Sequence, residues 1–295
     1  MPQPLRVLEG VRLLSLALNL PGPAALMRCR GMGAACVKLE PPSGDPMRRY
    51  SPSFYEQLHE GVEVLQADLK TDAGQEVLHR ELAKTDVLLT SFRPSALKKL
   101  GIDWTELHRL YPALSQVAIV GASGSQAEEP GHDLTYLADK GLVPGLELPA
   151  TLYADMSGSL MAAEAVLKAL VRRQARHAGA GETDAGVFIE VALSEAAAYV
   201  ALPRQWGLTQ ASGTVGGAHA GYRIYPCRDG RVAVAALEPH FAAALCTASG
   251  LTVSDMRAMF APETHRAIAA FLLAQSRHDL DRLASEKDIP LHTMP

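Results

Sequence analysis

Cysteine is scarce, with 4 in 295 residues. Cys29, Cys36, Cys227 and Cys246 are too few and too scattered for a disulfide scaffold, and no C-x-x-C pair suggests structural zinc. Basic charge is not in excess either. Lys and Arg number 28 against 32 Asp and Glu, a formal net charge of -4. Proteins that neutralise nucleic-acid phosphates usually carry a basic face, so that class is excluded. The one segment that resembles a targeting signal, Val11–Leu20, is half the roughly 20 residues a membrane span needs. It follows Glu9-Gly10 and runs into Pro21-Gly22-Pro23, which reads as a buried strand entering a turn rather than a targeting signal. No repeat or low-complexity tract occurs. What is present, 48% hydrophobic and 20% charged residues, is the balance of a globular chain long enough for a substantial core. A reducing, cytoplasmic setting is expected.

The chain alternates strand and helix signals. RLLSLAL is an apolar run of strand length and NLPGP a turn. AALMRCRGM is helical in composition, and ACVKLE is a second strand closed by Pro41-Pro42. Strand, helix, strand with short joins is a parallel unit with a right-handed crossover. Further units follow: a helix over Ala73–Ala83, the strand DVLLTS, a helix near Trp104–Leu110 and the strand Leu114–Val120. A long helix is expected over Ser157–His177, then a strand and helix in GVFIEVALSEAAAYVA. The character changes after Pro203, where a Gly-rich stretch leads to RIYPCRDGRVAVAAL, a hairpin turning at Asp229-Gly230. Helices are expected to fill the remainder. The prediction is therefore an α/β chain: a Rossmann-like doubly wound parallel sheet over residues 1–205, and a smaller α+β domain over 206–295.

Such units invite a dinucleotide, but the G-x-G-x-x-G fingerprint is absent. Gly31 and Gly33 fall at the wrong end of the first helix, and Glu40 reads as a solvated strand end. Ligands of open α/β sheets bind outside the carboxyl ends of the strands, which directs attention to three segments. Pro130–Tyr136 (PGHDLTY) follows the Leu114–Val120 strand, Tyr153–Ser159 (YADMSGS) opens the long helix, and Ala236–Phe241 (ALEPHF) follows the hairpin. Each has a plain structural reading. His132 and Asp133 fit a surface loop, Asp155 fits a helix N-cap, and Glu238 before Pro239 fits the start of a helix.

Taken together with GMGAACVKLEPPSGDPMR, ADLKTDAGQ, TDVLLTSFRPSALKKLGI and YPCRDGRVAVAALEPHF, these segments resemble the class III coenzyme A transferase and α-methylacyl-CoA racemase family. The resemblance extends from Leu8 to about Leu291. The transferase branch usually carries an aromatic residue where His132 stands. Gly131-His132-Asp133 with Ala236-Leu237-Glu238-Pro239-x-Phe241 is similar to the racemase branch.

The resemblance implies an acyl-CoA substrate, no metal and no cofactor beyond the coenzyme A of the substrate itself. Racemisation next to a thioester needs two bases across the carbon and donors that stabilise an enolate. By resemblance His132 and Asp155 are those bases, and Glu238 is a supporting carboxylate. The implied reaction is 1,1-proton transfer on 2-methyl-branched acyl-CoA thioesters, a reaction of lipid metabolism. Asp155 at the helix entrance is also expected to lend its backbone N–H to the thioester oxygen. The transferase alternative makes Asp155 a nucleophile that forms a mixed anhydride, and a third possibility is a member that binds coenzyme A without catalysis. Lys38 and Arg93 match the positions expected to hold coenzyme A. Lys98 and Lys99 read equally well as an exposed helix face. Glu60 and Glu63 stand where the family carries cations, an expected weakening of phosphate binding. Family members form interlocked homodimers, and a homodimer is expected here. The sequence stops at Pro295, about where the family's returning C-terminal segment begins.

Overall fold

A computed structural model describes residues 5–177, 185–252 and 255–295. The chain divides into two compact units, Met1–Ala201 and Leu202–Pro295.

The first unit is built on six parallel strands: β1 (Arg12–Ser15), β2 (Ala35–Glu40), β3 (Glu63–Gln66), β4 (Val87–Thr90), β5 (Ser115–Val120) and β6 (Phe188–Ala192). Their order is β3-β2-β1-β4-β5-β6, so the direction of winding reverses between β1 and β4. The inner strands are buried on both faces, which is why they read as continuous apolar runs. Successive residues feed opposite layers. Leu13, Val87, Leu89, Val117 and Ile119 pack beneath the helices Pro21–Gly31 and Tyr153–His177. Leu14, Leu16, Leu39 and Leu88 join Leu78, Leu97 and Leu107 on the other face. Ala162, Ala163 and Ala165 of the long helix let it lie close against Ala25 and Cys29 of the first helix. The Rossmann-like doubly wound sheet expected from the sequence is present.

The glycine that the first turn does contain has a packing role. A Cβ on Gly22 would lie 2.2 Å from the Cβ of Ala17, so only glycine lets the helix start this close to the end of β1. Pro21 and Pro23 beside it carry no N–H. The first turn of this helix is therefore left with the Gly22 N–H alone among its first three residues, fewer donors than hold a pyrophosphate in dinucleotide folds.

The second unit holds an antiparallel sheet of β7 (Tyr222–Cys227), β8 (Gly230–Ala235) and β9 (Leu291–Met294) in that order. Cys227 pairs with Gly230 across the hairpin turn. Val232, Val234, Leu245, Ile268, Leu272 and Leu280 form its core with the helices that follow. β9 differs from the expectation of helices to the end of the chain, because pairing with β8 draws Leu291–Met294 into the sheet.

Candidate active site

The carboxyl ends of β1, β4 and β5 open into a cavity of about 630 Å³ at the point where the strand order reverses. Each strand contributes a turn to its lining: Leu18–Pro21 after β1, Ser91–Arg93 after β4 and Gly121 after β5. All of the lining residues belong to the first unit.

His132 and Asp155 both line this cavity. His132 precedes the short helix Asp133–Asp139 and is exposed. Its backbone is fixed by Thr135, whose hydroxyl accepts from the His132 N–H at 3.1 Å and donates to its carbonyl at 2.8 Å. Asp155 is the third residue of the helix Tyr153–His177 and is partly buried. The helix starts one turn earlier than the sequence suggests, so Asp155 lies inside its first turn and is not the N-cap. Nor is its backbone N–H available to a thioester oxygen, because it donates to Asp133 Oδ1 at 3.0 Å. Burial pushes the Asp155 carboxyl up from 3.8 to about 6, the Asp133 charge adds to the rise, and His132 opposes it.

Asp133 escaped the sequence reading, where it passed for a loop residue. It is buried and ties the start of one helix to the start of the other. Tyr136 fills the space behind the two site segments. Its hydroxyl lies where a Cβ on either Gly121 or Gly131 would come within 2.3 Å. Burial and the Asp155 charge raise its pKa, with Arg93 opposing.

Of the two cations expected to hold coenzyme A, Arg93 lines the cavity, is exposed and makes no ion pair among the described residues. Lys38 is placed differently, in the interior, with its side chain wholly buried. Its ammonium donates to Asp45 Oδ2 at 2.5 Å, lies 3.1 Å from Glu40 Oε1 and reaches His59 Nε2 at 2.9 Å. The ammonium is thus hydrogen-bonded to Asp45 and His59 and paired in charge with Glu40 inside the protein, where it is not placed to meet a phosphate. His59 Nδ1 lies 2.6 Å from the Tyr55 carbonyl and so must carry the proton, which leaves Nε2 to accept from Lys38. Burial and the neighbouring ammonium hold its pKa below the usual value. Glu40 is likewise not the solvated strand end expected: it is buried and accepts the Tyr55 hydroxyl at 2.7 Å. Ligand atoms of Glu40, Asp45 and His59 lie within 4.8 Å of one another, as a metal site would require. The cation among them is the Lys38 ammonium.

Glu238 lies in the second unit, at the start of the helix Pro239–Ala248. Its carboxylate is exposed and makes no capping bond. Glu60 and Glu63 are exposed.

The chain matches CoA-transferase family III over residues 8–294 and belongs to that family. It is 33% identical over 150 residues to the cinnamoyl-CoA:phenyllactate CoA-transferase of Clostridium sporogenes, covering 46% of this chain and 36% of that protein. To human alpha-methylacyl-CoA racemase it is 30% identical over 267 residues, covering 84% of this chain and 66% of the other. These alignments thus span about a third to two-thirds of the relatives' lengths. A hypothetical protein of Mycobacterium tuberculosis has the same fold in its crystal structure, with a TM-score of 0.82 at 22% identity over 98% of this chain and 85% of that one. Transferases and racemases both stand among the relatives.

Proposed function

We propose that the chain catalyses 1,1-proton transfer at C2 of a 2-methyl-branched acyl-CoA thioester, with His132 and Asp155 as the two bases. The observation that carries this reading is their place in one cavity, with the Asp155 carboxyl drawn up to about 6. A base works best when its pKa lies near the working pH, which the rise of the Asp155 carboxyl to about 6 approaches. In one direction the Asp155 carboxylate takes the C2 proton, the electron pair moves into the thioester carbonyl to give the enolate, and the His132 imidazolium returns a proton to the opposite face. In the other direction the roles exchange. Arg93 is the cation assigned to the coenzyme A phosphates, and Lys38 is reassigned to holding the wall of the cavity. Glu238 keeps the supporting role that the resemblance gives it, with Glu238→Gln as its test. The working form is proposed to be a homodimer, to be tested by sedimentation.

The experiment is proton exchange. A chiral 2-methylacyl-CoA is incubated with the protein in D2O, and C2 is followed by NMR against a blank without protein. Deuterium at C2 with loss of chirality, abolished in His132→Ala and in Asp155→Ala, is the expected result. Acyl transfer to an acceptor acid without exchange would instead favour Asp155 as nucleophile, a reading supported by the transferases among the relatives. Neither reaction across several chain lengths would leave a coenzyme A-binding protein that does not catalyse.

A further inference from the structure

Asn19 stands out in an otherwise apolar part of the cavity wall. Leu18, Leu20, Pro21 and Met47 line the cavity around it. Its backbone has a φ of 64°, a left-handed conformation that asparagine tolerates and most residues resist. The turn is held by the buried Asp45 carboxylate, which accepts the Asn19 N–H at 3.2 and 3.1 Å. Asp45 is fixed in turn by the Met47 N–H at 2.9 Å and by the buried Lys38 ammonium. The Tyr50 hydroxyl, also in the cavity wall, donates to Asn19 Oδ1 at 3.3 Å. This bond turns the side-chain oxygen toward Tyr50, while the amide NH2 has no partner among the described residues. Asn19 is exposed to the cavity and its backbone turn is fixed; a donor placed on an apolar wall is how binding sites select one ligand from its close analogues.

We propose that Asn19 is a specificity residue whose side-chain NH2 donates a hydrogen bond to an oxygen carried on the acyl chain of the substrate. The preferred acyl group therefore bears a hydroxyl or a carboxylate beyond the thioester and is not plain hydrocarbon. Asp45 and Lys38 are positioning residues for this contact, acting through the Asn19 turn. The inference rests on the acyl-CoA reading above and names the substrate class for the same cavity. An asparagine kept only for its backbone conformation would have no effect on ligand choice, and glycine would replace it without loss.

The test is calorimetric binding of butyryl-CoA, 3-hydroxybutyryl-CoA and succinyl-CoA to the full chain and to two variants that both tolerate the left-handed turn. The wild type is expected to bind one of the two oxygen-bearing thioesters about tenfold more tightly than butyryl-CoA, the scale of one hydrogen bond. Asn19→Gly should reduce that ratio to within about twofold. Asn19→Asp places a carboxylate where the NH2 was: it can accept from a hydroxyl but repels a carboxylate, and so tells the two acyl classes apart. Equal affinities in the wild type, or an unchanged ratio in Asn19→Gly, would overturn the inference. Binding is read without turnover, so an intact preference with no C2 exchange overturns the proton-transfer reading alone. Failure to bind any of the three overturns both.

Discussion

The backbone N–H of Asp155 donates to the carboxylate of Asp133 at 3.0 Å, fastening the start of one helix to the start of another. The bond holds two carboxyl groups near each other in a partly buried place. The Asp133 charge then adds to the effect of burial in keeping the Asp155 carboxyl up at about 6. One contact therefore fixes the position of the group proposed as a base and adds to the proton affinity that burial gives it.

A pH profile tests that arrangement. With Asp155 as base, kcat/KM in that direction should fall about tenfold per pH unit below about 6. Asp133→Asn keeps a side-chain oxygen to accept the Asp155 N–H but removes the neighbouring charge. The acid limb should then move to lower pH with the cavity intact. An unmoved limb would mean that Asp133 acts on the site only through its hydrogen bond.

The same shift bears on stability. A carboxyl raised from 3.8 to about 6 on folding makes its charged form costly in the folded state. Below pH 3.8 the group is protonated in both states and the cost is absent. It grows as pH rises through the interval to about 6, and stays constant above. Asp155→Asn should therefore raise stability by about 1–2 kcal/mol at pH 7.5, and by nothing measurable near pH 3.5. Urea midpoints at the two pH values decide it, and an equal gain at both would place the effect in packing.

How much of this was visible in the sequence depended on burial. β2, buried along nearly all its length, was legible from end to end as ACVKLE. β3 was not, because it is an edge strand that starts on an exposed glutamate and has no apolar run. β9 fell within the stretch expected to be helical, because four residues show no periodicity until they meet β8. His132 and Asp155 became candidates through a whole-chain resemblance; as single residues they passed for a loop and a cap. The buried partners of Lys38 were hidden for a physical reason. Whether Glu40, Asp45 and His59 face solvent or a cation is decided by the path of the chain between Pro41 and Leu58, and no local pattern reports it.

Lys38 and Arg93 should separate cleanly on mutation. Lys38→Met leaves Glu40 and Asp45 buried without their cation, a change that typically costs about 3–5 kcal/mol. Arg93 is exposed and has no ion pair among the described residues, so Arg93→Ala should leave stability within about 0.5 kcal/mol. It should instead weaken coenzyme A binding about tenfold, the usual worth of a charged hydrogen bond. Denaturant titration and calorimetry on the same two proteins check both halves. Full affinity in Arg93→Ala would remove it from the ligand site.

Gly121 and Gly131 give a sharper test of how the site is packed, because both face Tyr136 in different ways. A Cβ on Gly121 would meet the Tyr136 hydroxyl at 2.3 Å, while the ring carbon behind it lies at 3.3 Å and needs to give by only a few tenths of an ångström. A Cβ on Gly131 would meet the hydroxyl at 2.3 Å and two ring carbons at 2.6 Å. Gly121→Ala and Gly131→Ala should each lower Tm, since crowding a packed site typically costs about 1–3 kcal/mol. Adding Tyr136→Phe deletes only the hydroxyl. It should restore most of the Tm lost in Gly121→Ala and little of that lost in Gly131→Ala, where the ring itself is the obstacle. Two double-mutant cycles measure this difference directly. Equal rescue in both would mean that the ring swings away freely, in which case Tyr136 could not be what holds the His132 segment in place.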